Sequence, residues 1–129
     1  MAEPGYSLAA TITGPDAPGL LTRVMTAIAS TDAEILDLEQ TVVRGQLSIG
    51  VLLEVAPGGH EEIEDRLAGT CARLGLAVSI SEGIGDNPPR HNRAIVTILG
   101  RPLRASHVAT TAEVIAELGG NVDRSRRLS

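Results

Sequence analysis

Phenylalanine, tryptophan and lysine do not occur in this sequence, and Tyr6 is its only aromatic residue. Any core must therefore be built from Leu, Ile, Val and Ala. Without aromatics there is no platform on which bases could stack, so the cluster Arg124, Arg126 and Arg127 is not read as a nucleic-acid site. Cys71 is the single cysteine, which excludes an intramolecular disulfide. No apolar run approaches the roughly 20 residues of a membrane span. The N-terminus lacks the basic start and long apolar stretch of a secretory signal. The chain is thus expected to be cytoplasmic, with no membrane partner. His60, His91 and His107 lie in unrelated segments without ligand spacing, so neither a metal site nor a catalytic triad is expected.

What the sequence does contain describes an ordinary globular protein: 129 residues, 43% apolar and 21% charged, enough for one domain or two very small ones. The net charge of −5 is divided unevenly. Residues 1–86 carry thirteen acids and four Arg, a balance of −9, and the remainder carries +4. Such opposed segments favour docking, within a chain or between chains.

The alternation of Leu8, Ala10 and Ile12 with polar or small residues predicts a strand. The turn Gly14–Pro15–Asp16–Ala17–Pro18–Gly19 follows it, and Leu21, Val24, Met25 and Ile28 then fall on one helical face. In this turn Gly14 and Gly19 supply backbone freedom, Pro18 suits a first helical turn, and Asp16 is placed to cap the amide of Gly19. A helix start with free N–H groups beside such an open turn can hold the carboxylate of a small ligand.

Leu36, Leu38 and Val42 predict a second strand, with Asp37, Glu39 and Thr41 on its other face. A hairpin at Arg44–Gln46 leads into the cleanest alternation of the chain, Leu47 to Val55. Ile63, Leu67, Cys71 and Leu74 line a second helix that stops at Gly75, with Cys71 as a small core hydrophobe. The acids Glu61, Glu62, Glu64 and Asp65 suit that helix's first turn better than a metal site. Leu76, Val78 and Ile80 make a fourth strand. The order strand, helix, strand, strand, helix, strand predicts an α+β domain of ferredoxin-like βαββαβ type over residues 1–84.

Residues 85–92 read as a linker, and the pattern then restarts. Residues 94–100, AIVTILG, match residues 8–14, LAATITG, at an offset of 86, and Asp123 lies the same distance beyond Asp37. A strand at 94–99, a helix lined by Val108, Ala112, Ile115 and Leu118, and a strand from Asn121 make residues 93–129 a partial second copy. It ends before its third strand, so the chain reads as cut within the second unit.

The G-x-D-x-P-G turn formed by Gly14, Asp16, Pro18 and Gly19, within a βαββαβ unit, resembles that of ACT domains, regulatory modules that bind amino acids. More narrowly, residues 34–55 and 98–129 are similar to the N-terminal tandem ACT region of bacterial phosphoserine phosphatases. The resemblance implies a segment that senses an amino acid, L-serine foremost, and that forms a homodimer or higher oligomer through its ACT units. It implies Asp16, Pro18, Gly19, Leu20, Asp37 and Ser106 as ligand-binding residues. The amides near Gly19 and Leu20 would meet the carboxylate, and Asp16 or Asp37 the ammonium group. In the second copy the turn Gly100–Ala105 lacks the Asp and the second Gly, leaving Ser106 as the nearest small polar substitute. The family's catalytic domain is of haloacid-dehalogenase type, with a D-x-D-x-[TV] nucleophile motif and Mg²⁺. That motif is absent here, so this chain is expected to carry no catalytic residue, metal or cofactor, with Mg²⁺ confined to the catalytic domain. A stand-alone tandem ACT regulator and a purely structural dimerisation module are the alternative readings.

Overall fold

The computed structural model of the protein describes residues 6–85 and 94–126. The chain divides into two compact units, Met1–Pro89 and Arg90–Ser129. Gly85 apart, the linker expected over 85–92 lies outside the described residues.

The first unit runs β1 (Tyr6–Pro15), α1 (Leu20–Ala29), β2 (Glu34–Val43), β3 (Gln46–Val55), α2 (His60–Leu74) and β4 (Ala77–Ile84). Its sheet has the order β2-β3-β1-β4, with every neighbouring pair antiparallel. This is the ferredoxin-like arrangement anticipated from the element order. The alternation in β1 and β3 sets the register, because Leu8, Ala10 and Ile12 stand opposite Leu53, Val51 and Ile49 and all six are buried. From above, Val24 and Ile28 of α1 and Ile63, Leu67 and Cys71 of α2 close the core. No aromatic ring is needed, since branched side chains at two periods fill the space between sheet and helices.

Two local features depart from the reading of the sequence. In β2 a bulge falls between Ile35 and Asp37, so Ile35 opposes Leu53 while Asp37 opposes Leu52. Leu36, expected on the face of Leu38 and Val42, is the extra residue, and Ile35 takes the place opposite Leu53. Glycine 14 is the second. It is not among the glycines with positive φ, and a Cβ there would lie 2.5 Å from Leu76 Cδ2. It is small because the entry to β4 passes over it, and the turn asks no unusual backbone of it. That entry is fixed by the end of α2, where Gly75 is left-handed and Leu76 N–H donates to Cys71 O at 2.8 Å.

In the second unit the expected helix forms as α3 (Ala105–Glu117). It closes with Gly120 N–H donating to Ile115 O at 2.8 Å. Ala112 and Ile115 are half-buried, while Val108 and Leu118 are exposed. The strands expected at 94–99 and from Asn121 do not form among the described residues. In the sheet order of the first unit the first and second strands are never neighbours, because the third lies between them. Strand, helix and strand alone leave both strands without a ladder.

Candidate functional site

The β1–α1 turn is anchored to the β2–β3 hairpin. The hairpin turns at Arg44 and Gly45, both left-handed with φ of 46 and 75, the signature of a tight two-residue connection. Gly45 O projects back and accepts the Asp16 N–H at 2.8 Å. Sequence reading identified the hairpin but not this anchor. Only the pairing of Pro15 with Gln46 across β1 and β3 brings the two loops together.

Helix α1 begins without a side-chain cap. Gly19 is the N-cap residue, at φ 86 and ψ 0, and Arg23 N–H donates to Gly19 O at 3.1 Å. The cap expected from Asp16 is not made. Asp16 is tied by its main chain to the hairpin, and its side chain is left exposed. Pro18 stands one residue before the cap, outside the helix in which it was expected. Leu20 is only 8% exposed, so its side chain belongs to the core and its contribution to the turn is its amide. A Cβ at Gly19 would meet nothing within 4 Å, so the approach to the helix start is open. The turn thus combines first-turn amides without intrahelical partners, an exposed carboxylate and space. Such a set suits the carboxylate and ammonium groups of an amino acid.

Within the first unit, the fold does not bring Asp37 to this turn. Asp37 lies at the β2 bulge opposite Leu52, six residues along β3 from Gln46 and hence about 20 Å away. Its carboxylate Oδ1 accepts the Leu38 N–H at 2.9 Å. Asp16 and Asp37 therefore cannot serve one ligand within a chain. Ser106 is the second residue of α3, in the other unit. Beside it, His107 Nδ1 accepts the Arg104 N–H at 3.1 Å, which gives that histidine a helix-capping task.

Two hollows lie near α1. One of about 390 Å³ runs along Leu21, Met25 and Ala29, just past the turn. A larger trough of about 1220 Å³ separates the outer faces of α1 and α2. Its Arg66 is held by Glu62 at 3.1 Å and by Ser30 Oγ at 2.9 Å, which leaves that guanidinium a bridge between the helices. At the opposite end of the sheet, Tyr6 O–H donates to Glu82 Oε2 at 2.6 Å and its ring is tilted on His60. This bond holds the Tyr6 phenol above its ordinary range and the Glu82 carboxyl below its own. Desolvation, and then Glu82, push Glu64 up. Among the described residues no group of three or more His, Cys, Asp or Glu could share a metal ion, and no helix is long and apolar enough to cross a membrane.

Comparison with known proteins agrees with this architecture. Residues 7–81 match a family model described as an ACT domain, and residues 92–129 match a second, also described as an ACT domain. The chain is 37% identical over 120 residues to a phosphoserine phosphatase of Streptomyces coelicolor, covering 92% of this chain and 29% of that protein. It is 34% identical over 131 residues to phosphoserine phosphatase SerB2 of Mycobacterium tuberculosis, covering 95% and 31%. The chain thus spans less than a third of the length of these relatives. Among solved structures, an ACT domain protein from Streptococcus pneumoniae superposes with a TM-score of 0.54 at 18% identity, covering 60% of this chain and 90% of that one. A formyltetrahydrofolate deformylase from Burkholderia mallei does so with a TM-score of 0.54 at 10% identity, over 60% and 28%. At these identities the likeness concerns the fold.

Proposed function

The chain belongs to the ACT-domain family, and from that premise we propose that it is an amino-acid-binding regulatory segment of a cytoplasmic phosphoserine phosphatase. The parent enzyme would convert O-phosphoserine to L-serine, and this segment would bind L-serine and self-associate through its ACT units. The observation that carries the reading is the coincidence of two ACT matches with phosphatase similarity over nearly the whole chain. The turn supports it chemically. The ligand carboxylate would sit on the amides of Leu20 and Leu21, where the partial positive charge of α1 adds to hydrogen bonding. The exposed Asp16 carboxylate would take the ammonium group. In this reading the Mg²⁺ of haloacid-dehalogenase-type phosphatases would belong to the catalytic domain of the parent enzyme.

Calorimetric titration of the chain with each of the twenty amino acids tests the reading. L-serine should give a saturable heat, and Gly19→Asn should weaken it. Asparagine tolerates the left-handed backbone that Gly19 adopts, whereas a valine would add strain to obstruction. Saturable binding by none of the twenty would leave a dimerisation module. That second reading draws on the exposed apolar side chains of β2, Ile35, Leu38, Val42 and Val43.

A further inference from the structure

We infer that the trough between α1 and α2 holds a phosphate group, free or as a phosphate monoester, at the end lined by Arg23 and Arg73. The site is separate from the amides of the β1–α1 turn, and its residues stand whether or not L-serine binds there. Charge is sorted along this trough. Residues 1–86 carry thirteen acids and only four arginines, yet three of the four, Arg23, Arg66 and Arg73, line it. Strands β1 and β3 are antiparallel and each is followed by a helix that returns along it, so α1 and α2 are antiparallel too. The Arg66 bond to Ser30 places the end of α1 beside the start of α2. The acids of the trough, Glu61, Glu62 and Asp65, gather at that end. Arg73 lies seven residues beyond Arg66, and Arg23 seven before Ser30. Both therefore sit about 10 Å further along, in the part of the trough that has no acid.

Only Arg66 is neutralised. Among the described residues the one ion pair in the trough joins it to Glu62 at 3.1 Å. Arg73 is held by a neutral group, donating to Thr70 Oγ1 at 3.2 Å. Arg23 lies one turn into α1, which has no side-chain cap and no acidic residue in its first turn. A cation near the positive end of a helix is unfavourable, and no acid at this end of the trough offsets it. The neighbouring groups are donors as well. The Thr70 oxygen accepts from Arg73, which leaves its O–H to donate, and Thr22 beside Arg23 adds a second hydroxyl. Phosphate at neutral pH carries close to two charges and three or more acceptor oxygens, enough to engage two guanidinium forks and two hydroxyls. A carboxylate has too few oxygens for that set. The balance of −9 over residues 1–86 opposes any anion, but charges beyond about 8 Å are largely screened at physiological salt. Direct contacts at the two arginines therefore outweigh the distant repulsion.

Nuclear-magnetic-resonance titration of the full 129-residue chain at constant ionic strength, read at amides and arginine Nε groups, tests the inference. The probes are inorganic phosphate, O-phosphoserine and L-serine. Phosphate and O-phosphoserine should each give saturable shifts at Arg23, Thr70 and Arg73, half complete at about a millimolar. Equal affinities would assign the site to free phosphate, and tighter O-phosphoserine to the monoester. Arg23→Gln and Arg73→Gln should each weaken binding about tenfold. Arg66→Gln removes a guanidinium already paired and should weaken it by less than about twofold. Shifts that do not saturate, or an equal loss in all three variants, would reduce the effect to general charge attraction and overturn the site. O-phosphoserine shifts confined to the turn amides of Gly19 to Leu21, with none from phosphate, would support the turn reading and overturn this one. Arginine shifts with phosphate but no response to L-serine would keep this site and remove the serine reading.

Discussion

The Asp16 N–H donates to the Gly45 carbonyl at 2.8 Å, which ties the turn before α1 to the hairpin between β2 and β3. The bond uses only main-chain atoms, and the Asp16 side chain caps nothing. Asp16→Ala should therefore change stability by no more than about 0.5 kcal/mol, as at an ordinary surface position. A capping aspartate would cost about 0.5–2 kcal/mol. Denaturant unfolding distinguishes the two, and the same variant should bind L-serine less well.

Gly14 and Gly50 form a contrasting pair on neighbouring strands. A Cβ at Gly14 would collide with Leu76 Cδ2, whereas a Cβ at Gly50 would meet nothing within 4 Å. Gly14→Ala should destabilise the first unit by about 1–3 kcal/mol, the usual cost of overpacking. Gly50→Ala should be neutral or slightly stabilising, because alanine restricts the unfolded chain more than glycine does. Thermal unfolding of the two variants side by side checks the contrast.

Tyr6 is the only aromatic residue, so phenolate absorbance reports on it alone. Its hydrogen bond to Glu82 favours the protonated phenol and raises the pKa from its ordinary value of 10.0. The stabilisation from this group is complete below that value and is lost as pH rises through the raised one. The Glu82 contribution has the opposite window, present above the ordinary carboxylate range and lost as pH falls through the lowered pKa. Glu64, raised, favours the folded state on the acid side and works against it once ionised. The Tyr6 absorbance should titrate above its ordinary value in the wild type and move back towards it in Glu82→Gln. Identical titrations of the two proteins would contradict the contact.

Cys71 has no exposed surface, and burial pushes its thiol up. The thiolate is the reactive form, so the native chain should resist a disulfide reagent while the unfolded chain reacts at once. The rate in increasing denaturant should follow unfolding. Rapid reaction of the native chain would place Cys71 outside the core.

In the first unit, much of what depended on local period was legible before the structure. The alternation of Leu47 to Val55 and the spacing of Ile63, Leu67 and Cys71 each name the buried face of their element. The element order then leaves few topologies. Features set by distant partners were not legible. The role of Gly14 depends on Leu76, far along the chain. Leu36 follows the apolar pattern of β2 yet falls at a bulge that only pairing with β3 reveals. Likewise AIVTILG has the composition of a strand, but a strand needs a neighbour and its own half provides none. At the candidate site the open turn at Gly19 was visible in the sequence. The separation of Asp16 from Asp37 was not, because it depends on which end of the sheet each residue occupies.

The most direct test of the account is an amide nuclear-magnetic-resonance titration of the chain with L-serine. The turn proposal predicts saturable shifts centred on the amides of Gly19, Leu20, Leu21 and Thr22, weakened in Gly19→Asn. Shifts confined to the trough between α1 and α2, or unmoved turn amides at high serine concentration, would contradict it.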